Sequence, residues 1–208
     1  VRITLTEFDP DSITEREISA VDAVSLKDDC GSGKTVSWIN VDGIHDVTVI
    51  EAIGSHFNIH PLILEDILNT GQRPKVDEHD QHLYLVLKML YYDDVTHRIQ
   101  SEQLSLILGD GYLLSFQEKQ GDVFDPVRQR IRKGKGRIRK NGCDYLAYAL
   151  LDAVVDHYFV VLEKINVQTE DMEEALLDEA SPETLQQIHA AKKELIFFHK
   201  QIWPLRDI

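Results

Sequence analysis

The sequence predicts a mixed α/β (α+β) fold: a mixed six- or seven-stranded sheet sandwiched between helical layers, followed by a long antiparallel helical hairpin. Three observations predict it. Short segments with period-two alternation, or compact apolar runs bounded by turn residues, crowd the first half of the chain. Residues 144–179 contain no Pro or Gly and repeat apolar side chains near the helical period. Ser181 followed by Pro182 then marks a fresh helix start, a hydroxyl N-cap with proline at the first helical position.

The elements follow in order. Residues 1–5 and 17–21 alternate apolar and polar side chains as half-buried strands do, and residues 36–41 read as a third strand. From His45 to His56, Val47, Ile50 and Ile53 recur at helical spacing, and His60-Pro61 opens a second helix in tandem. Residues 83–90, 103–108 and 112–117 are three further strands, the last two joined by Gly109-Asp110-Gly111, a hairpin signal. Residues 121–133 read as a helix that ends in a glycine-punctuated basic stretch. Leu146, Leu150, Val154, Val161 and Ile165 then draw one face of a single helix roughly 50 Å long at the usual rise per residue. The helix from Pro182 should stop by Pro204, because the residue before a proline resists helical geometry. A boundary near Asn141-Gly142 divides the chain into residues 1–140, the sandwich, and 141–208, an acidic hairpin.

Composition narrows the function classes. A chain of 208 residues with 43% hydrophobic and 28% charged residues holds one sizeable core and is not globally disordered. No apolar run approaches the roughly 20 residues that span a bilayer, since even residues 83–90 are interrupted by Lys88, so no membrane anchor within these residues is expected. Val1-Arg2-Ile3-Thr4 shows no signal-peptide pattern. Cys30 and Cys143 form no C-x-x-C pair, which fits free thiols in a reducing compartment such as the cytosol. The formal net charge of −14 disfavours nucleic acid and anionic lipid and favours cationic partners, metal ions included.

Several patterns suggest chemistry and fail on inspection. Gly33-Lys34-Thr35 ends like a P-loop, but Asp28 stands where the first glycine is needed and a strand follows instead of a helix. His56/His60 and His79/His82 have zinc-like spacing, yet Phe57 replaces the glutamate of H-E-x-x-H and Pro61 breaks the helix, so surface or helix-end histidines are expected. The cations from Arg128 to Lys140 lack interleaved aromatics, which favours an intramolecular role: helix-dipole complementation and pairing with the acidic hairpin. No nucleophile elbow or triad signature is present. Glu65 and Asp66 fall on the outer arc of their helix, opposite Ile63, Leu64, Ile67 and Leu68, and Asp152, Asp156 and Glu163 form an acidic stripe on the long helix. Spacing alone favours a solvated polar face for both.

Four blocks add a second line of argument: W-I-N-V-D-G-I-H at residues 38–45, H-P-L-I-L-E-D-I-L-N-T-G-Q-R-P-K-V at 60–76, Q-E-K-Q-G-D-V-F-D-P-V-R at 117–128 and I-W-P-L-R at 202–206. Their order and spacing resemble the cytoplasmic part of CorA-type magnesium transporters over nearly the whole chain. The resemblance implies a non-enzymatic, cytoplasmic regulatory domain of an ion channel or transporter. In that family two membrane helices with a Gly-Met-Asn motif follow, beyond the last residue here. It further implies that Glu65, Asp66 and Asp152, the last in a Y-x-L-x-D context, are metal ligands of a regulatory divalent-cation site between neighbouring subunits. Other ligands of that site come from a stalk helix that follows I-W-P-L-R. Mg²⁺ is then both regulator and cargo, with Co²⁺ able to substitute; the partners are the chain's own membrane domain and further copies of itself, a pentamer in the full-length protein. Nucleic acid and small-molecule substrates are not expected, and residues 1–208 alone should be a monomer or weak oligomer. Two rivals stay open: a relative that moves Zn²⁺, Co²⁺ or Ni²⁺, and a soluble metal-dependent hydrolase built on the same three carboxylates.

Overall fold

The computed structural model describes residues 1–19, 35–79, 81–178 and 181–207. Cys30, the Gly33-Lys34 loop, the Ala20-Val21 end of an expected strand and the Glu179-Ala180 turn lie outside the described residues.

Seven strands form one mixed sheet: β1 (Arg2–Phe8), β2 (Ile13–Ile18), β3 (Val36–Asp42), β4 (Lys75–His79), β5 (His82–Asp93), β6 (Arg98–Leu108) and β7 (Tyr112–Gln117), in the order β2-β1-β3-β7-β6-β5-β4. Only β3 and β7 pair in parallel; the other neighbours are antiparallel. Every residue of β3 and β7 is buried, because these two strands sit at the sheet centre with both faces covered. The same cause explains the run Leu83–Leu90: Leu85, Leu87 and Met89 enter one core, while Tyr84 and Val86 enter the other. The β6–β7 hairpin closes as expected, with Leu108 opposite Leu113 and Gly111 at φ +78°, a conformation that favours glycine.

One face of the sheet carries α1 (Val47–His56) and α2 (Pro61–Leu68). Ile50 and Ile53 of α1 and Ile63 and Ile67 of α2 pack on Ile3, Leu5, Ile39 and Val41. Gly54 permits the close crossing of the two helices, since a Cβ there would collide with the Leu64 methyls. The other face carries α3 (Asp125–Arg132), α4 (Cys143–Asp178) and α5 (Pro182–Ile202). Leu146, Leu150, Val154, Val161 and Ile165 of α4 are all 3% exposed or less. At about 1.5–3 kcal/mol for each fully buried side chain, this stripe contributes on the order of 10 kcal/mol before entropic costs. That far exceeds what an exposed pair such as Lys164–Asp94, at 3.0 Å, supplies. Tyr158 adds a hydrogen bond from its hydroxyl to the Lys88 carbonyl at 2.6 Å. By length and composition α4 is also the one helix among the described residues long and apolar enough to cross a membrane, because that property depends on average composition and tolerates interrupting charges. Here its apolar stripe faces the sheet.

The hairpin partner α5 starts where Ser181 accepts a hydrogen bond from the Thr184 N–H at 3.1 Å, and it returns along α4 with Phe198 edge-on to Tyr158. Helical hydrogen bonding tightens to a 3-10 turn at Trp203–Asp207, as Pro204 dictates.

Two expectations need revision, and one strand, β4, was not placed by the sequence. β2 runs over Ile13–Ile18, earlier than residues 17–21; it is an edge strand whose charged side chains hide the alternation. β4 gives almost no sequence signal, since Lys-Val-Asp-Glu-His has a single apolar residue, and it pairs on one side only at the other edge. The helix expected from Gly121 begins at Asp125, because Gly121 sits at φ +100° and Asp122 turns inward to bind Arg128.

Candidate metal-responsive carboxylates

On α2, His60 is the N-cap: its Nδ1 accepts the Leu62 N–H at 3.2 Å, and Pro61 fills the first helical position, where no N–H is needed. With Ile63 and Ile67 driven into the core, Leu62 and Glu65 face solvent. Asp66 does not lie bare beside Glu65 as the helical arc suggests. It is half-buried and accepts from Gln72 Nε2 at 2.8 Å and Lys75 Nζ at 2.7 Å. Lys75 simultaneously pairs with Asp77 at 2.6 Å. Burial alone would lower the Lys75 pKa, but the hydrogen bonds and charges of the two carboxylates outweigh it and push it up to about 12. A cation thus already holds Asp66.

Asp152 is exposed on α4 and lines a cavity of about 400 Å³ with Asp125, Arg130, Asp156 and His157. Burial pushes the His157 pKa down, and its ring lies 5.6 Å from that of Tyr91. Neither Glu65 nor Asp152 has a side-chain hydrogen-bond or ion-pair partner among the described residues. Because α2 and α4 cover opposite faces of the sheet, one chain does not bring Glu65 and Asp66 together with Asp152. Among the described residues no group of three or more His, Cys, Asp or Glu side chains is close enough to hold a metal ion.

The histidine pairs dissolve into structural roles. His79 and His82 face each other across β4 and β5, and His82 Nε2 lies 3.1 Å from the Phe57 carbonyl. His82 is therefore a core residue, not a surface one. Part of the basic stretch turns to the sheet side, while Arg130 donates to the Tyr145 hydroxyl on the hairpin at 3.4 Å. Arg132 grips Glu15 through two hydrogen bonds at 2.7 and 2.8 Å, and Arg139 donates to the Ile131 and Arg132 carbonyls at the end of α3.

What sequence reasoning missed is a buried polar chain linking two of the four blocks. Trp38, Asn40 and Asp42 alternate onto one face of β3, and Ser115 and Gln117 do so on β7. Trp38 Nε1 donates to Ser115 Oγ at 2.9 Å, and Ser115 donates to Asn40 Oδ1 at 2.5 Å. Gln117 Nε2 donates to Asp42 at 2.6 Å and to Asp122 at 3.1 Å. Arg128 closes the chain with two bonds to Asp122, both 2.6 Å, its guanidinium 5.1 Å from the Trp38 ring. Burial pushes the Asp42 carboxyl up. Burial acts the same way on Asp122, but Arg128 overrides it and holds that carboxyl below the usual range. The period-two placement of Trp38, Asn40 and Asp42 was the available signal.

The family described as CorA-like Mg2+ transporter protein matches residues 33–208. The chain belongs to this family. It is 52% identical over 174 residues to the cobalt/magnesium transport protein CorA of Thermotoga maritima, a match covering 84% of this chain and 50% of that protein. It thus spans about half the length of that CorA relative. Its fold matches the soluble domain of CorA from Methanocaldococcus jannaschii with a TM-score of 0.73 at 19% identity, over 98% of this chain and 76% of that one. The ZntB cytoplasmic domain from Vibrio parahaemolyticus gives 0.69 at 15% identity, over the same shares of the two chains. The second and third of these likenesses speak for the fold alone. The expected CorA resemblance and the sandwich-plus-hairpin architecture are therefore established.

Proposed function

We propose that residues 1–208 are the cytoplasmic regulatory part of a CorA-type magnesium transporter or channel, and that Glu65, Asp66 and Asp152 sense divalent cations at the junction between neighbouring copies. The observation that carries this reading is the placement of the carboxylates on opposite faces of the sheet. An ion touching all three needs α2 of one copy and α4 of the next. The donors suit the ion. Mg²⁺ is hard, prefers oxygen and keeps several waters, so exposed carboxylates such as Glu65 and Asp152 can hold it weakly and reversibly. In this account residues 1–140 form the sandwich body that carries Glu65 and Asp66, and the hairpin of residues 141–208 carries Asp152 and leads into the segment that connects to the membrane.

Abundant Mg²⁺ bridges adjacent copies and favours a closed ring; scarce Mg²⁺ leaves the facing carboxylates to repel, and the ring loosens. Lys75 adds a competitor. Its ammonium satisfies Asp66 in the absence of a metal, so metal capture there requires displacing a pair at 2.7 Å. The output is gating, with Mg²⁺ or Co²⁺ as cargo and no covalent chemistry. The test is limited proteolysis of the full-length assembly across a magnesium titration, comparing wild type with Glu65→Gln plus Asp152→Asn. Both side chains are exposed, so folding should be unchanged within about 0.5 kcal/mol. Protection should shift to higher magnesium; equal protection of both proteins contradicts the proposal.

A further inference from the structure

A second cavity, of about 820 Å³, lies where the loop after α2 meets the 3-10 turn at Trp203. Its walls include Arg73, Lys88, His199 and Lys200, against a single carboxylate, Glu118. In a chain with a formal net charge of −14, that excess of cations is out of character. Lys88 is the decisive residue. It is only 6% exposed, yet its ammonium has two neutral acceptors, the Thr70 carbonyl at 2.7 Å and Gln103 Oε1 at 3.3 Å. No ion pair reaches it among the described residues. Buried lysines are rare unless paired, because desolvating an unmatched charge is costly. Burial pushes the Lys88 pKa down, and the Glu118 charge only partly offsets this. Arg73 and Lys200 likewise have no carboxylate partner among the described residues.

We propose that this cavity binds a small phosphate-bearing anion, with Lys88 at its floor and Arg73 and Lys200 at its rim. A bound phosphate supplies the missing counter-charge to Lys88 and accepts its remaining N–H, while the fork of Arg73 suits two phosphate oxygens at once. The volume lies within the range of small-ligand sites. The ligand would tie the segment between Asp66 and Lys75 to the 3-10 turn that carries Trp203.

The test is titration of the 208-residue chain with sodium tripolyphosphate in divalent-free buffer, followed by calorimetry and by the fluorescence of Trp203, which is 53% exposed beside the cavity. Saturable one-to-one binding is expected. Arg73→Gln and Lys200→Gln, both at exposed positions, should each weaken it about tenfold or more, as loss of a charge-assisted hydrogen bond does. Lys133→Gln with Lys135→Gln, in the basic stretch elsewhere, should leave it unchanged. A parallel flotation with phosphatidylcholine vesicles containing phosphatidic acid separates the sources. Vesicle capture that the Arg73 and Lys200 variants lose supports the site with a lipid phosphate as ligand, and tripolyphosphate binding without capture supports a soluble one. The proposal is overturned if neither probe binds, or if the Lys133 and Lys135 substitutions weaken binding as much as those at Arg73 and Lys200.

Discussion

Arg128→Met removes the guanidinium from the buried chain that joins β3, β7 and α3 while keeping an unbranched apolar stem. The Asp122 side chain is 4% exposed and receives both of its shortest bonds, 2.6 Å each, from Arg128. Without Arg128 the carboxylate keeps, among the described residues, Gln117 Nε2 at 3.1 Å and the Phe124 N–H at 2.9 Å. Stripping one partner from a buried ion pair costs about 3–5 kcal/mol, and the lost contact with the Trp38 ring adds about 0.5–1 kcal/mol. For a chain of this size that lowers Tm by on the order of 10 °C. The assay is urea unfolding at several pH values. In wild type the folded Asp122 titrates below its unfolded value, so its contribution is present above the ordinary carboxylate range and fades as pH falls through the folded value. The variant lacks that contribution, so the gap between the two proteins should be widest near neutrality and narrow in acid. Asp122→Asn in the variant background should recover part of the loss. A cost under about 1 kcal/mol, or a gap that does not vary with pH, would show that the pair behaves like an exposed one and refute the reasoning.

Asp42→Asn removes a carboxyl that burial pushes up while keeping an oxygen for Gln117 to donate to. A raised folded value means stability present in acid and lost as pH rises through it. The variant should therefore lose less stability than wild type between acid and neutral pH, as thermal melts would reveal; an identical pH profile would contradict this. Lys75→Met frees Asp66 and Asp77 from their ammonium. In the full-length assembly it should lower the magnesium concentration that gives half-protection by about 2–5-fold, the scale of a partly exposed pair. An unchanged midpoint would mean that Lys75 does not compete.

Much of the fold was legible because burial writes strong patterns. The apolar stripe of α4, the Ser181-Pro182 start of α5 and the Gly109-Asp110-Gly111 turn each name their element by local physics. The edge strands were harder. β2 and β4 bury little, so charge replaces alternation, and their pairing is decided by neighbours distant in sequence. The carboxylates divide the same way. Helical period placed Glu65 and Asp152 on exposed arcs, but nothing in the spacing of Asp66 announces Lys75, nine residues later and on a strand. The buried chain from Trp38 to Arg128 was hidden for a like reason: its members meet only when β3 and β7 pair in parallel across about 75 residues.

The most direct test of shared sensing is a mixed assembly of full-length chains. One population carries Glu65→Gln with Asp66→Asn, the other carries Asp152→Asn, and each alone should lose magnesium protection against proteolysis. If the site joins α2 of one copy to α4 of the next, co-assembly creates junctions in which both contributing faces are intact. Protection should then partly return at the wild-type magnesium midpoint. Mixed assemblies no better protected than either parent would contradict a site built across the junction.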